Sequence, residues 1–143
     1  MENLRRHSTL RLILSAAALL LVGPAAWSAD VAPALEAGRD DVVTTIAGAT
    51  VAGVEGFTAP TIQLDAKESR VSGTSGVNRY GGSYASVDGK LVFGQLFSTM
   101  MAAPEPVMAL EQRFLAIMGT PLAVTASGGA LTLSGDKGAL TLH

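Results

Sequence analysis

The chain of 143 residues contains no cysteine. Disulfides, thiolate metal sites and thiol nucleophiles are thereby excluded, and so is lipid attachment through an exported cysteine. Histidine appears only as His7 and His143, and tryptophan only as Trp27. A histidine at the last residue is expected to be solvated and mobile, a poor member of a triad or metal site. Charged residues make up 15% of the chain, and none of them falls at metal-ligand spacing. Asp40-Asp41 and Asp65/Glu68 lie in turn-like or tether-like sequence, where a carboxylate serves solubility, and no two carboxylates are singled out to flank a glycosidic bond. Gly81-Gly82-Ser83-Tyr84-Ala85 approaches a nucleophile elbow but lacks the closing glycine and the strand-to-helix setting. These absences argue against an enzyme, a cofactor and a metal.

The N-terminus reads as a secretion signal. Arg5, Arg6 and Arg11 form a basic region, and Leu12 to Val22 is an apolar run too short to span a bilayer comfortably. Pro24 ends the run. Ala26-Trp27-Ser28 presents small residues at the two positions a signal peptidase reads, so cleavage is expected after Ser28, with Ala29 as the alternative. Leu4 before the arginine pair and Ser8-Thr9 after it fit twin-arginine export poorly, which leaves Sec-type export to the periplasm or outside. Residues 1–28 remove Arg5, Arg6, Arg11 and Glu2 from 10 basic and 12 acidic residues, leaving 7 and 11, a net charge of −4. Such a domain has no electrostatic attraction for nucleic acid or anionic lipid. No stop-transfer pattern follows the signal, so stable membrane insertion after cleavage is not expected.

Residues 29–41 are acidic, alanine-rich and carry Pro33, and read as a tether before a domain spanning 42–143. Val42 to Val51 forms a first strand region bent at Gly48. Thr61-Ile-Gln-Leu-Asp65 alternates, so that Ile62 and Leu64 share a face. Val87-Asp-Gly-Lys90 is a favoured two-residue hairpin turn leading into a strand at Leu91–Phe93. Leu96 to Met101 reads as another strand. From Pro104 to Met118 the residues Val107, Leu110, Phe114, Ile117 and Met118 fall within about 100° of a helical wheel. Pro104 and Pro106 suit the first turn, and Gly119 suits a left-handed cap. Three alternating strands follow, carrying Leu122/Val124, Leu131/Leu133 and Leu140/Leu142. Strands, one helix and a terminal meander predict an antiparallel sheet curled around or against a single amphipathic helix. Met100, Met101, Met108 and Met118 are expected to fill a pliant apolar interior beside the helix.

Two blocks carry a family resemblance. Val71 to Tyr84 holds glycines at 73, 76, 81 and 82 among the strand-suited Val71, Val77, Tyr80 and Tyr84, a pattern of strands broken by bulges or tight turns. Thr99 to Leu115 forms the second block. Together they resemble the META domain, the HslJ-like family of small secreted or envelope proteins. Asn78, Arg79, Tyr80, Gly82, Ser83 and Tyr84 match its signature, as do Pro104 and Glu111 in the helix block. The resemblance implies a small, incompletely closed antiparallel β-barrel with one helix packed on it, a mainly β (α+β) fold. It also implies a pair of cysteines at the places held here by Val77 and Ala103, so this chain forgoes a cross-link of about 2–4 kcal/mol.

The signature residues are expected to be structural. Asn78 would tolerate a left-handed turn or cap neighbouring backbone groups, and Tyr80 and Tyr84 would pack on the sheet. Glu111, at the edge of the apolar arc, would need a partner among backbone amides, Asn78 or Arg79. The resemblance implies a non-enzymatic envelope or secreted domain linked to heat-shock or envelope stress. A carrier or pilot that holds a lipid or apolar peptide in the barrel is the alternative, and a lipid or an envelope protein the corresponding partner.

Overall fold

The computed structural model describes Leu35 and residues 38–143; the expected signal, residues 1–28, lies outside them. Strands form wherever short apolar alternations lie between turns. They are β1 (Asp41–Ile46), β2 (Ala49–Thr50), β3 (Thr61–Asp65), β4 (Arg70–Thr74), β5 (Arg79–Val87), β6 (Lys90–Phe93) and β7 (Phe97–Ser98). The helix α1 (Glu105–Met118) follows, and then β8 (Ala123–Ser127), β9 (Ala130–Gly135) and β10 (Gly138–Leu142). Every pairing is antiparallel, in the order β6-β5-β4-β3-β1-β10-β9-β8, with β2 on β1 and β7 on β5.

The two ends of that order meet. Leu91 and Leu122 exchange both backbone hydrogen bonds at 2.8 Å, which leaves a nearly closed barrel joined by one bridge. The hairpin β5–β6 turns through Asp88 and Gly89, both left-handed with φ of 51° and 74°, the twist that suits a two-residue hairpin. A bulge between Val43 and Thr45 shifts the phase of β1 against β10. Val43 and Ile46, an odd number of positions apart, therefore both face inward.

The interior is one continuous apolar cluster. Val43, Ile46, Ile62, Leu64, Leu133 and Leu140 are fully buried, and Phe114, Ile117 and Met118 reach them from α1, which packs on β1 and β10. The expected sheet with one helix is thus observed, closed further than an open curl.

Several local expectations need correcting. The expected tether over 29–41 does not hold at the described residues: Leu35 is fully buried in the core and Asp41 opens β1 with its side chain inside. Of the strand expected at Leu96–Met101, only Phe97 and Ser98 are strand residues; the Thr99 amide still reaches the Arg79 carbonyl of β5, but Met101 is held by the Asn78 side chain. Met118 is a core residue, but Met100 and Met101 are exposed. Gly119 has a φ of −75° and forms no left-handed cap; the amide and hydroxyl of Thr120 donate to the Ile117 carbonyl instead, at 3.1 and 2.8 Å. The backbone of His143 is held by Val42 through two 3.0 Å bonds, so this residue is tied down although its side chain is exposed.

Candidate functional site

The tight turn Ser75–Asn78 between β4 and β5 creates the site. The Ser75 amide and hydroxyl both donate to the Asn78 carbonyl, at 2.8 and 3.0 Å. Gly76 has a φ of 120°, and a side chain there would collide with the Phe57 ring, so glycine suits the position twice over. The turn aims the amides of Val77 and Asn78 at one point. The carboxylate of Glu111 occupies it, its Oε2 accepting both at 2.9 Å. Successive amides converging on an anion form a nest.

Asn78 completes the arrangement. Its Nδ2 donates to Glu111 Oε1 at 2.6 Å and to the Met101 carbonyl at 3.2 Å. Its Oδ1 accepts from the Met101 amide at 2.6 Å and the Thr99 hydroxyl at 2.9 Å. Both amide hydrogens and both oxygen lone pairs are used. These partners also fix the orientation of the carboxamide, since a carboxylate can meet only the nitrogen and an N–H only the oxygen. One side chain thereby joins β5, the Thr99–Met101 segment and α1.

Glu111 and Asn78 are only 3% and 2% exposed. Burial alone pushes the Glu111 carboxyl up. The Asn78 carboxamide, the Asn78 and Val77 amides and the Ser75 hydroxyl outweigh it, so that the group ionises below its ordinary value. Glu111 sits in the buried face of α1, whereas Leu110, expected near the centre of that face, is only half-buried.

Tyr80 lies next to this network. Its hydroxyl donates to the Thr61 carbonyl at 2.8 Å, and its ring meets Phe114 edge-on with centroids 5.6 Å apart. Burial, and after it the negative charge of Asp40, hold the phenol protonated well above the tyrosine range, so it acts as a donor and not a base. A side chain at Gly73, opposite Tyr80 in the ladder, would strike the Thr61 carbonyl.

The other signature residues stand apart. The Arg79 side chain is exposed on a cleft of about 540 Å³ with Asp40, Thr61, Gln63 and Thr74. It does not pair with Glu111; only its backbone joins the network region, through the Thr99 amide and hydroxyl. Tyr84 is buried opposite Phe93. Gly82 admits the passing chain, because a Cβ there would lie 2.9 Å from the Gln95 carbonyl and the Leu96 side chain. Pro104 caps α1, its carbonyl accepting from the Val107 and Met108 amides at 3.0 and 3.1 Å.

Sequence reasoning missed Ser75, Thr99 and the backbone of Met101, which bear no motif of their own. It also placed Asp41 with Asp40 as a solubilising pair. Asp40 is exposed, but Asp41 is 1% exposed; its Oδ1 accepts from Arg39 Nε at 2.9 Å, while Oδ2 has no partner among the described residues.

Chemically, the network is closed on itself for the most part. The Asn78 carboxamide uses both hydrogens and both lone pairs, the Glu111 carboxylate accepts three hydrogen bonds, and the Tyr80 hydroxyl is spent on the Thr61 carbonyl. Among the described residues no group of three or more His, Cys, Asp or Glu is placed to hold a metal ion.

A small antiparallel barrel closed by one bridge, with a helix tied to its β4–β5 turn through a buried carboxylate, defines the class. The META domain family model matches residues 37–143, and the chain belongs to that family. Two structures determined by NMR are similar. One, from Burkholderia xenovorans, superposes with a TM-score of 0.58 at 27% identity, covering 97% of this chain and 96% of its own. The other gives a TM-score of 0.61 at 23% identity over 76% of this chain and 90% of its own, a likeness of fold. No curated protein matches the chain.

Proposed function

We propose that this META domain is a non-enzymatic protein of the cell envelope or its exterior, exported through a Sec-type signal at residues 1–28 and serving under heat or envelope stress. The observation that carries the non-enzymatic reading is the inward-turned hydrogen bonding of the Asn78–Glu111 network. The signature residues Asn78, Tyr80 and Glu111 spend their polar groups on one another, on backbone and on Thr99, which is the behaviour of a structural latch. Family membership supports an envelope association, and the leader sequence supports export.

The alternative, a carrier with a lipid or apolar peptide inside the barrel, finds less support. The inward side chains of β1, β3, β9 and β10 are buried in one apolar cluster with those of α1, and an acyl chain would have to displace them.

Fractionation tests export. Full-length chain produced in a Gram-negative host should appear in the periplasm or medium starting at Ala29 or Asp30. Uncleaved protein in the membrane pellet would overturn the reading. For the stress role, a strain lacking the protein should survive heat shock less well and recover with the intact gene. Equal survival would remove that part of the proposal.

A further inference from the structure

We propose that the cavity between the Thr99–Ala102 segment and α1 is a Cu(I) site whose ligands are the thioethers of Met100, Met101 and Met108. The chain has five methionines. Met1 lies outside the described residues and Met118 is in the core. The other three line a single cavity of about 340 Å³, whose remaining wall includes Asn78, Thr99 and Glu111.

Packing does not explain this grouping. Met100 is 96% exposed and Met101 59%, so neither gains appreciably from burial, and a third methionine, Met108, faces the same space. A thioether that stays in water is more useful as a ligand than as filler. Methionine is unbranched and turns about three bonds, so three such chains can converge on an ion while their backbones stay still.

Two of those backbones are fixed. The Asn78 carboxamide holds both the amide and the carbonyl of Met101. Met108 rides on α1 one turn before Glu111, which is anchored in the Val77–Asn78 nest. The signature network thus becomes the floor of the site and positions two of its three ligands.

The chemistry selects the ion. Soft thioethers favour Cu(I), whereas magnesium and calcium require oxygen and zinc is held by imidazole, thiolate or carboxylate. Glu111 is the one ionisable side chain lining the cavity, and no lysine, arginine or histidine does so. Its charge favours a cation, while three hydrogen bonds hold its carboxylate on the Val77 and Asn78 amides and the Asn78 side chain.

The test is a competition between the purified chain and a chromophoric Cu(I) chelator under anaerobic, reducing conditions, with Ag(I) as a redox-inert probe of the melting midpoint. One equivalent of Cu(I) should be withdrawn from the chelator, and Ag(I) should raise the midpoint by mass action. Met100→Leu, Met101→Leu and Met108→Leu keep apolar volume and should each weaken binding by about tenfold or more, at least the cost typical of losing an outer-shell partner. The triple variant should not compete, while Met118→Leu should bind as the parent does. Failure of the parent to compete, binding undiminished in the triple variant, or equal withdrawal of Zn(II) would each overturn the proposal. Should the triple variant lose its fold, Met100→Leu decides alone, because its side chain is almost wholly in solvent.

Discussion

The carboxamide of Asn78 donates to the carboxylate of Glu111 at 2.6 Å across 33 residues of sequence. This contact ties the turn before β5 to the middle of α1. Without a disulfide anywhere in the chain, it is a principal polar link between helix and barrel, and it explains why a carboxylate occupies a buried helical position.

Acid should loosen this link. The pKa of Glu111 is lowered in the folded state, so its contribution to stability is present above the unfolded carboxylate value, about 4.3. That contribution is lost as pH falls through the lower, folded value. Melting midpoints should drop below about pH 4.3 more steeply in the parent than in Glu111→Gln, which has no charge to lose at that position. Parallel curves for the two proteins would contradict the assignment.

The helix face makes a graded prediction. Phe114→Ala removes a fully buried ring in edge contact with Tyr80 and should destabilise by about 3–5 kcal/mol. Leu110→Ala, at a half-buried site, should cost about 1–2 kcal/mol, below the usual range for a buried leucine. Gln112→Ala, on the exposed face, should fall within about 0.5 kcal/mol of the parent. Denaturant melts of the three variants check the order, and equal losses would mean that α1 does not pack as described.

Val77 and Ala103 offer a third test. Both are partly buried against the core, and Asn78, next to Val77, is joined by two hydrogen bonds to Met101, two residues before Ala103. Val77→Cys with Ala103→Cys should form a disulfide under oxidising conditions and add about 3 kcal/mol, less any strain. Free thiol content and the oxidised and reduced melting midpoints give the readout. Thiols that stay free would show that these positions do not correspond to the cysteine pair of the family.

What was legible in the sequence was local. The alternation of Ile62 and Leu64 and the Asp88–Gly89 turn were readable because a two-residue period and a left-handed turn leave direct compositional marks. The length of α1 was readable for the same reason. What escaped depends on distant partners. Met100 and Met101 look like strand residues, but Asn78, more than twenty positions away, holds their segment out of the sheet. Glu111 was expected to need a partner, yet hydropathy could not show that a satisfied carboxylate would be more buried than the neighbouring Leu110. Asp41 carries the same lesson, since its acidic neighbourhood suggested solvent while its register in β1 points it inward.

A double-mutant cycle tests most directly whether the Asn78–Glu111 link is a structural latch. Asn78→Ala, Glu111→Gln and the double variant are unfolded in denaturant beside the parent. Each single change should cost about 1–3 kcal/mol, because it strands buried hydrogen-bonding groups. The double variant should cost less than the two losses combined, with a coupling of about 0.5–3 kcal/mol. Single variants as stable as the parent, or losses that simply add, would contradict the claim and return these residues to the search for a binding or catalytic role.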